Sequence, residues 1–89
     1  MVILKLKNGV VLTRNDSGAI LLDTRKGTYW HLNETALALI DALDDPDPVA
    51  EAVQTIVAKT GADPSVIRAD IALFIKQLRR TRLIQGRTP

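Results

Sequence analysis

The 89-residue chain is 46% hydrophobic and 25% charged, which is the composition of one globular domain and excludes a disordered segment. It contains no cysteine, which excludes disulfides, thiolate metal sites and cysteine nucleophiles. No segment has the length of a membrane span or the pattern of a signal peptide, so we expect a cytoplasmic protein.

The net charge of +2 is divided unevenly along the chain. Residues 1–33 carry five Lys or Arg against two Asp or Glu, residues 34–64 carry one against seven, and residues 65–89 carry six against one. An acidic middle between basic ends argues against a uniformly basic surface that follows nucleic acid. We interpret the pattern as charge complementarity within the fold.

Four short strands are predicted in the first 32 residues. Apolar and basic residues alternate up to Lys7, and Asn8-Gly9 then forms the strongest local signal for a hairpin. Strands at 10–14, 19–23 and 28–32 follow, separated by polar turns that each end in glycine. The segment therefore predicts a small antiparallel meander.

Three helices are predicted after the strands. Asn33 can cap the first, which runs to about Leu43, and Asp-Pro pairs at 47–48 and 63–64 open the second and third. Gly61 is placed to end the second helix, and the third extends to about residue 80.

The order of elements predicts an α+β fold of winged-helix type, with a small antiparallel sheet of three to four strands followed by three helices. We expect one domain over residues 1–84 and a loose tail over residues 85–89. The third helix carries an apolar stripe typical of a helix packed on a core, formed by Ile67, Ile71, Phe74, Ile75 and Leu78.

Two of the three aromatic side chains are neighbours in the fourth predicted strand, as Tyr29 and Trp30. Side chains alternate along a strand, so these rings point to opposite faces and only one can enter a groove on the helix side of the sheet. For each ring alone, and for Phe74 in the third helix, we favour packing in the core.

Two polar side chains, His31 and Asp70, are candidates for a catalytic or binding role. His31 is the only histidine, but no partner lies at a spacing that would build an acid–base, nucleophilic or metal site. We therefore expect no enzyme activity, no metal and no cofactor. Asp70 interrupts an apolar and basic helix, where it can accept a hydrogen bond from a bound peptide or form a surface ion pair with Arg68 or with a basic residue elsewhere. From the residues alone we favour the ion pair.

A series of motifs runs across the chain in a definite order. They are Leu22-Asp23, Gly27, Tyr29-Trp30, Leu32-Asn33 and Ala36 in the first half, and Asp70, Ile71, Phe74, Leu78 and Leu83-Ile84 in the second. This series resembles the signature of PqqD-like proteins, also called RiPP recognition elements. It is most similar to the stand-alone leader-binding members of lasso-peptide biosynthesis.

The resemblance implies a non-catalytic adaptor. Members of the family bind the leader of a ribosomally made precursor peptide, which adds as an antiparallel strand to the last strand of the sheet and lies against the third helix. The partners implied are the precursor peptide, a leader peptidase and, as a further candidate, a cyclase, with no nucleic acid and no membrane, for a monomer or weak dimer. The peptide-binding positions implied in this chain are Thr28, Tyr29, Trp30, His31, Leu32, Val66, Asp70, Phe74 and Gln77.

Two alternatives stay open. A winged helix with a basic cluster, here Arg79, Arg80, Arg82 and Arg87, suggests DNA binding. A recognition helix, however, needs polar and basic side chains along its exposed face, whereas these residues concentrate at the end of the third helix and beyond it. The other alternative is PqqD proper, which acts with a radical-SAM enzyme in the synthesis of a quinone cofactor.

Overall fold

The computed structural model describes residues 3–16 and 18–87. Its elements are, in order, β1 (Ile3–Leu6), β2 (Val10–Asn15), β3 (Gly18–Asp23), β4 (Thr28–Leu32), α1 (Glu34–Asp41), α2 (Pro48–Thr60), α3 (Pro64–Arg80) and β5 (Ile84–Arg87). Small antiparallel sheets and three helices make this an α+β fold, as predicted. The winged-helix comparison and the assignment of a single domain stay predictions.

Three of the predicted strands form the expected meander. β2, β3 and β4 lie side by side in that order, and both pairings are antiparallel. Val10 lies opposite Asp23 across the first pairing, and Ala19 lies opposite Leu32 across the second. The order leaves β4 at one edge of this sheet.

The predicted pairing of the first two strands is wrong. The turn at Asn8-Gly9 forms, since the Val10 N–H donates to the Lys7 carbonyl at 3.0 Å. β1 nevertheless pairs with β5 in a separate two-stranded sheet, and the Lys7 N–H donates to the Leu83 carbonyl at 3.0 Å. An Asn-Gly pair determines a local turn, whereas the strand's partner is set by which elements bury their apolar side chains together.

The loose tail predicted for residues 85–89 is also wrong over residues 85–87, which belong to β5. In this strand Gln85 lies opposite Lys5 and Gly86 opposite Leu4. No local pattern marks such a strand, because its partner is at the other end of the chain. Residues 88–89 lie outside the described residues.

The helices begin where their caps predict. Asn33, Asp47 and Asp63 each accept a hydrogen bond on the side-chain oxygen from a backbone N–H in the following turn, at 2.8 to 3.1 Å. Gly61 ends α2 in the left-handed conformation, with φ of 71°. None of the helices in residues 3–16 and 18–87 is long and apolar enough to cross a membrane.

One cluster of buried apolar side chains joins strands of both sheets to all three helices. Leu21 from β3, Leu39 from α1 and Ile71 from α3 have essentially no exposed surface. The predicted stripe of α3 is confirmed for four of its members, while Phe74 is only partly buried and packs against the edge of the cluster. The three helices are therefore packed against one face of the meander.

Candidate functional site

The outer edge of β4 is open. Within residues 3–16 and 18–87, β3 is its only strand partner, so one row of β4 backbone N–H and C=O groups has no strand beside it. The four residues from Thr28 to His31 are exposed and Leu32 is half-buried. An edge of this kind is a template on which a further strand can pair.

The register of β4 assigns its side chains to two faces. Trp30 lies opposite the buried Leu21, so its ring is on the side of the sheet that faces the helices. Tyr29 and His31 alternate onto the other face, where their rings meet edge to face with centroids 5.5 Å apart. Only one of the two neighbouring aromatic rings therefore reaches the helix side, as the alternation predicts.

Core packing of these rings, which the sequence favours, is wrong for both. Tyr29 is 61% exposed and Trp30 is 41% exposed. The reason is their position on an edge strand, since within the described residues no further strand lies beside β4 to flank these side chains. Phe74 differs, since it packs against the core with one side and lines a groove with another.

A groove of about 350 Å³ separates β4 and the start of α1 from α3. α3 contributes Asp70 and the residues three, four and seven positions after it, which all lie on one face of the helix. Aromatic and aliphatic side chains stand beside amide, hydroxyl and carboxylate groups along this groove. Its lining consists of Trp30, His31, Asn33, Thr35, Ala36, Asp70, Leu73, Phe74 and Gln77.

Five of the nine candidate residues border the groove, although the His31 ring lies on the other face of β4 against Tyr29: Trp30, His31, Asp70, Phe74 and Gln77. The other four do not line the groove. Thr28 and Leu32 lie at the two ends of β4, and Tyr29 lies on the opposite face of the sheet. Val66 is exposed one helical turn before Asp70. A peptide paired along the whole of β4 could still contact Thr28 and Leu32 through the backbone.

Four residues of the groove were not among the sequence candidates. Asn33, Thr35 and Ala36 come from the first turn of α1, which follows β4 directly, so they necessarily lie near its end. Leu73 is 57% exposed although it is a leucine in a helix. Its spacing of three residues from Asp70 was a usable signal, because it places both side chains on one helix face.

Asp70 supplies the unpaired charge of the groove. Its carboxylate is exposed and has no hydrogen-bond or ion-pair partner within the described residues. The predicted alternative, an ion pair with Arg68, is not formed, since residues two apart on a helix do not face each other. The groove thus presents an acceptor beside the apolar surfaces of Leu73 and Phe74.

An ion pair between a buried carboxylate and an exposed arginine holds the turn before β4. Among residues 3–16 and 18–87, Asp23 is the one charged residue that is buried. The Nε and Nη2 atoms of Arg25 donate to the two carboxylate oxygens at 3.0 Å each, and the Arg25 backbone N–H donates to Oδ1 at 3.0 Å. These hydrogen bonds keep the pKa of Asp23 below its ordinary value, against the opposing effect of burial.

The same arginine ties this turn to the end of α3. Arg25 Nη2 also donates to the Arg82 carbonyl at 3.0 Å. Arg82 adopts a left-handed conformation with φ of 61°, and the Leu83 N–H donates back to the Leu78 carbonyl at 2.9 Å, which closes the helix in a Schellman motif. We call these contacts the Asp23–Arg25–Arg82 clamp. It connects the turn that begins β4 with the helix that forms the other wall of the groove.

No group of three or more His, Asp or Glu side chains in the described part of the chain is arranged to hold a metal ion. His31 contacts the Tyr29 ring, and its neighbours in the groove include Asn33 and Thr35. The groove therefore offers surfaces for packing and hydrogen bonding.

The family comparison agrees with this architecture. The model of the family described as coenzyme PQQ synthesis protein D (PqqD) matches residues 18–84, which include β3, β4 and all three helices. The chain belongs to the PqqD family. A comparison with curated protein sequences finds no match.

Three solved structures have a similar fold. The chain is similar to a lasso peptide synthetase B1 complexed with the leader peptide, at 26% identity and a TM-score of 0.80 over 93% of this chain and 98% of the other. It is similar to TbiB1 in complex with the TbiA(beta) leader peptide, at 25% identity and a TM-score of 0.78 over 96% and 99%. The third is the PqqD truncation of Methylobacterium extorquens PqqCD, a stand-alone RiPP recognition element, at 26% identity and a TM-score of 0.74 over 94% and 88%.

Proposed function

We propose that this protein is a non-catalytic adaptor that binds the leader of a ribosomally made precursor peptide by strand addition to β4. The observation that carries the proposal is the open edge of β4 beside a groove whose far wall is α3. Membership of the PqqD family supports it, and so does the similarity to two proteins whose structures contain leader peptides.

Strand addition divides recognition between the backbone and the side chains. The main chain of the guest peptide pairs with β4 over five residues and sets the register, with each hydrogen bond contributing about 0.5–1.5 kcal/mol. Every second side chain of the guest then points toward the groove. Trp30, Leu73 and Phe74 would contact apolar guest side chains, while Asp70 and Gln77 would take hydrogen bonds. A few such anchors carry most of the binding energy in interfaces of this size.

The proposed partners are the precursor peptide, the leader peptidase that cleaves it and, as a further candidate, the cyclase that acts on the core. The lasso-peptide assignment is supported by the similarity to a lasso peptide synthetase B1 complexed with the leader peptide. The role requires no catalytic group on this chain, since the adaptor only holds and presents the peptide.

A second candidate uses the same groove with a different precursor. The similarity to the PqqD truncation of PqqCD favours a PqqD proper, which would present its peptide to a radical-SAM enzyme. The two candidates differ in the peptide that binds and not in the site, so the sequence of the bound leader distinguishes them.

The test is an NMR titration of isotope-labelled protein with a synthetic leader taken from a short reading frame encoded beside this chain. We expect shifts confined to Thr28–Leu32, the start of α1 and α3, and none with a scrambled peptide of the same composition. Duplex DNA serves as the second arm. If the leader causes no shifts and DNA causes salt-dependent shifts at residues 79–82, the adaptor function is contradicted and DNA binding is supported.

A further inference from the structure

The flank of α3 that faces away from the groove carries a second hollow, of about 380 Å³. At about 100° per residue, its helical positions lie on the opposite side of α3 from Asp70 and Phe74. Its floor is apolar and its rim is basic. The lining consists of Val49, Arg68, Ala72, Ile75, Lys76 and Arg79.

The cations of this flank are exposed. α3 carries four exposed basic side chains, Arg68, Lys76, Arg79 and Arg80, and none forms an ion pair within the described residues. The charge complementarity predicted from the sequence therefore does not extend to the C-terminal segment. The ion pairs in residues 3–16 and 18–87 join Arg14 to Asp41, Arg25 to Asp23 and Lys59 to Glu34. The side chain of Arg87 lies outside the described residues.

The two flanks of α3 are connected over its exposed crest. A smaller hollow of about 140 Å³ is lined by Leu73, Lys76, Gln77 and Arg80. It shares Leu73 and Gln77 with the groove and Lys76 with the basic hollow. A partner that covers the crest would thus touch the basic flank and lie beside whatever occupies the groove.

We propose that the basic face of α3, formed by Arg68, Lys76, Arg79 and Arg80 around Ala72 and Ile75, docks a protein partner with an acidic surface patch that carries an apolar side chain. The proposal rests on the adaptor function, because the partner is the peptidase that acts on the bound leader. Unpaired cations on one side and carboxylates on the other speed encounter and orient the two proteins.

The composition of the face favours a protein over other occupants. Nucleic-acid interfaces are more polar than protein–protein interfaces, whereas Val49, Ala72 and Ile75 make the floor of this hollow apolar. The leader itself, paired along β4, runs on the opposite flank and meets the basic hollow only by crossing the crest. An acidic protein surface with an apolar anchor matches both components of the hollow.

The test compares charge-reversed variants of the full chain, loaded with leader, for binding to the leader peptidase encoded beside it. Arg68→Glu/Arg79→Glu changes the basic face, and Lys5→Glu/Lys26→Glu changes the net charge equally at residues that line neither hollow nor groove. We expect the first pair to weaken peptidase binding by about tenfold or more and the control by less than about twofold. Lys76→Glu alone should weaken it in the same direction.

Leader affinity, measured separately by fluorescence anisotropy, should be unchanged in every variant, and this separates the two proposals. Failure of the unmodified protein to bind leader would contradict the adaptor function. With leader bound, an equal loss in both double variants, or no loss in either, would overturn the docking face. Binding of duplex DNA or of a second copy of the chain through these residues, with no binding of the peptidase, would overturn it as well.

Discussion

Asp23 and Asp70 are two carboxylates in opposite surroundings. Asp23 is fully buried and accepts three hydrogen bonds from Arg25, whereas Asp70 is exposed and has no partner within the described residues. A buried carboxylate persists only when it is paired, so Asp23 needs a partner inside the chain. An exposed carboxylate in a groove can take its partner from outside. The contrast separates a residue that holds the fold from one that we propose contacts a ligand.

The largest expected effect is on the clamp. Asp23→Asn removes the charge that pairs with Arg25 and leaves that guanidinium partly buried beside a neutral amide. Thermal unfolding followed by circular dichroism should show a loss of several degrees in Tm. Asp70→Asn, as the matched change in the groove, should leave Tm unchanged. Equal Tm values for the two variants would remove the distinction between these carboxylates.

The next effect concerns the apolar wall of the groove. Phe74→Ala should weaken leader binding by about thirtyfold, or ~2 kcal/mol, since it removes a ring that lines the groove centrally on α3. Val66→Ala is the control, since this exposed apolar residue of α3 lies one turn before Asp70 and does not line the groove, and it should change affinity by less than about twofold. Isothermal titration calorimetry measures both, and circular dichroism verifies that the variants are folded. Unchanged leader affinity in both Phe74→Ala and Asp70→Ala would show that the groove is misplaced.

Two neighbouring rings on β4 allow a comparison of a side chain in the groove with one outside it. Trp30 faces the groove and Tyr29 faces away from it, so Trp30→Ala should weaken leader binding by about tenfold and Tyr29→Ala by about twofold at most. Calorimetry on the two variants gives the ratio directly. A larger loss from Tyr29→Ala would place the reading surface on the other face of the sheet.

Asp70 should contribute less than the rings, because it is exposed and the surrounding water screens its charge. Asp70→Asn keeps the shape and one acceptor, and we expect leader affinity to fall about fivefold, or ~1 kcal/mol. Arg68→Gln, two residues earlier on the other flank, should leave leader affinity unchanged. If both substitutions have the same effect, Asp70 acts only through the general charge of the helix.

The smallest expected effect is a decrease of Tm in acid, as the structural carboxylates become protonated. Hydrogen bonds from Arg25 hold the pKa of Asp23 below its ordinary value of 3.8, and hydrogen bonds from Ser65 lower the pKa of the helix cap Asp63 in the same way. The unfolded chain binds these protons more tightly than the folded one, so the stabilisation is complete above about pH 5 and is lost as the pH falls through the lowered pKa values. The decrease of Tm on acidification should be shallower in Asp23→Asn. An identical slope would mean that Asp23 does not carry the dependence.

Local signals predicted the elements that local chemistry determines. Asn33, Asp47 and Asp63 are caps whose function depends on the next turn, and the helices begin after each of them. The apolar stripe of α3 was predictable because the helical spacing of its apolar residues places them on one face. The edge position of β4 followed from the order of strands in the meander.

Features that depend on distant contacts could not be predicted in the same way. The pairing of β1 with β5 joins the two ends of the chain, and the Arg25 bond to the Arg82 carbonyl joins two turns that the sequence treats separately. The exposure of Trp30 depends on the position of β4 at the edge of the sheet, which no property of the residue itself reveals. Part of the groove is likewise a product of packing, since three of its nine residues come from the start of α1 and enter it only once α3 lies opposite.

The central claim is that a guest peptide pairs through its main chain with β4. The most direct measurement is the affinity of a series of leader peptides, each with one backbone nitrogen methylated, since methylation removes one N–H donor and leaves the side chain in place. We predict a period of two along the peptide, with about tenfold losses where the N–H faces β4 and small changes between them. Equal effects at successive positions, with side-chain truncations still costly, would contradict strand addition and leave only side-chain recognition by the groove.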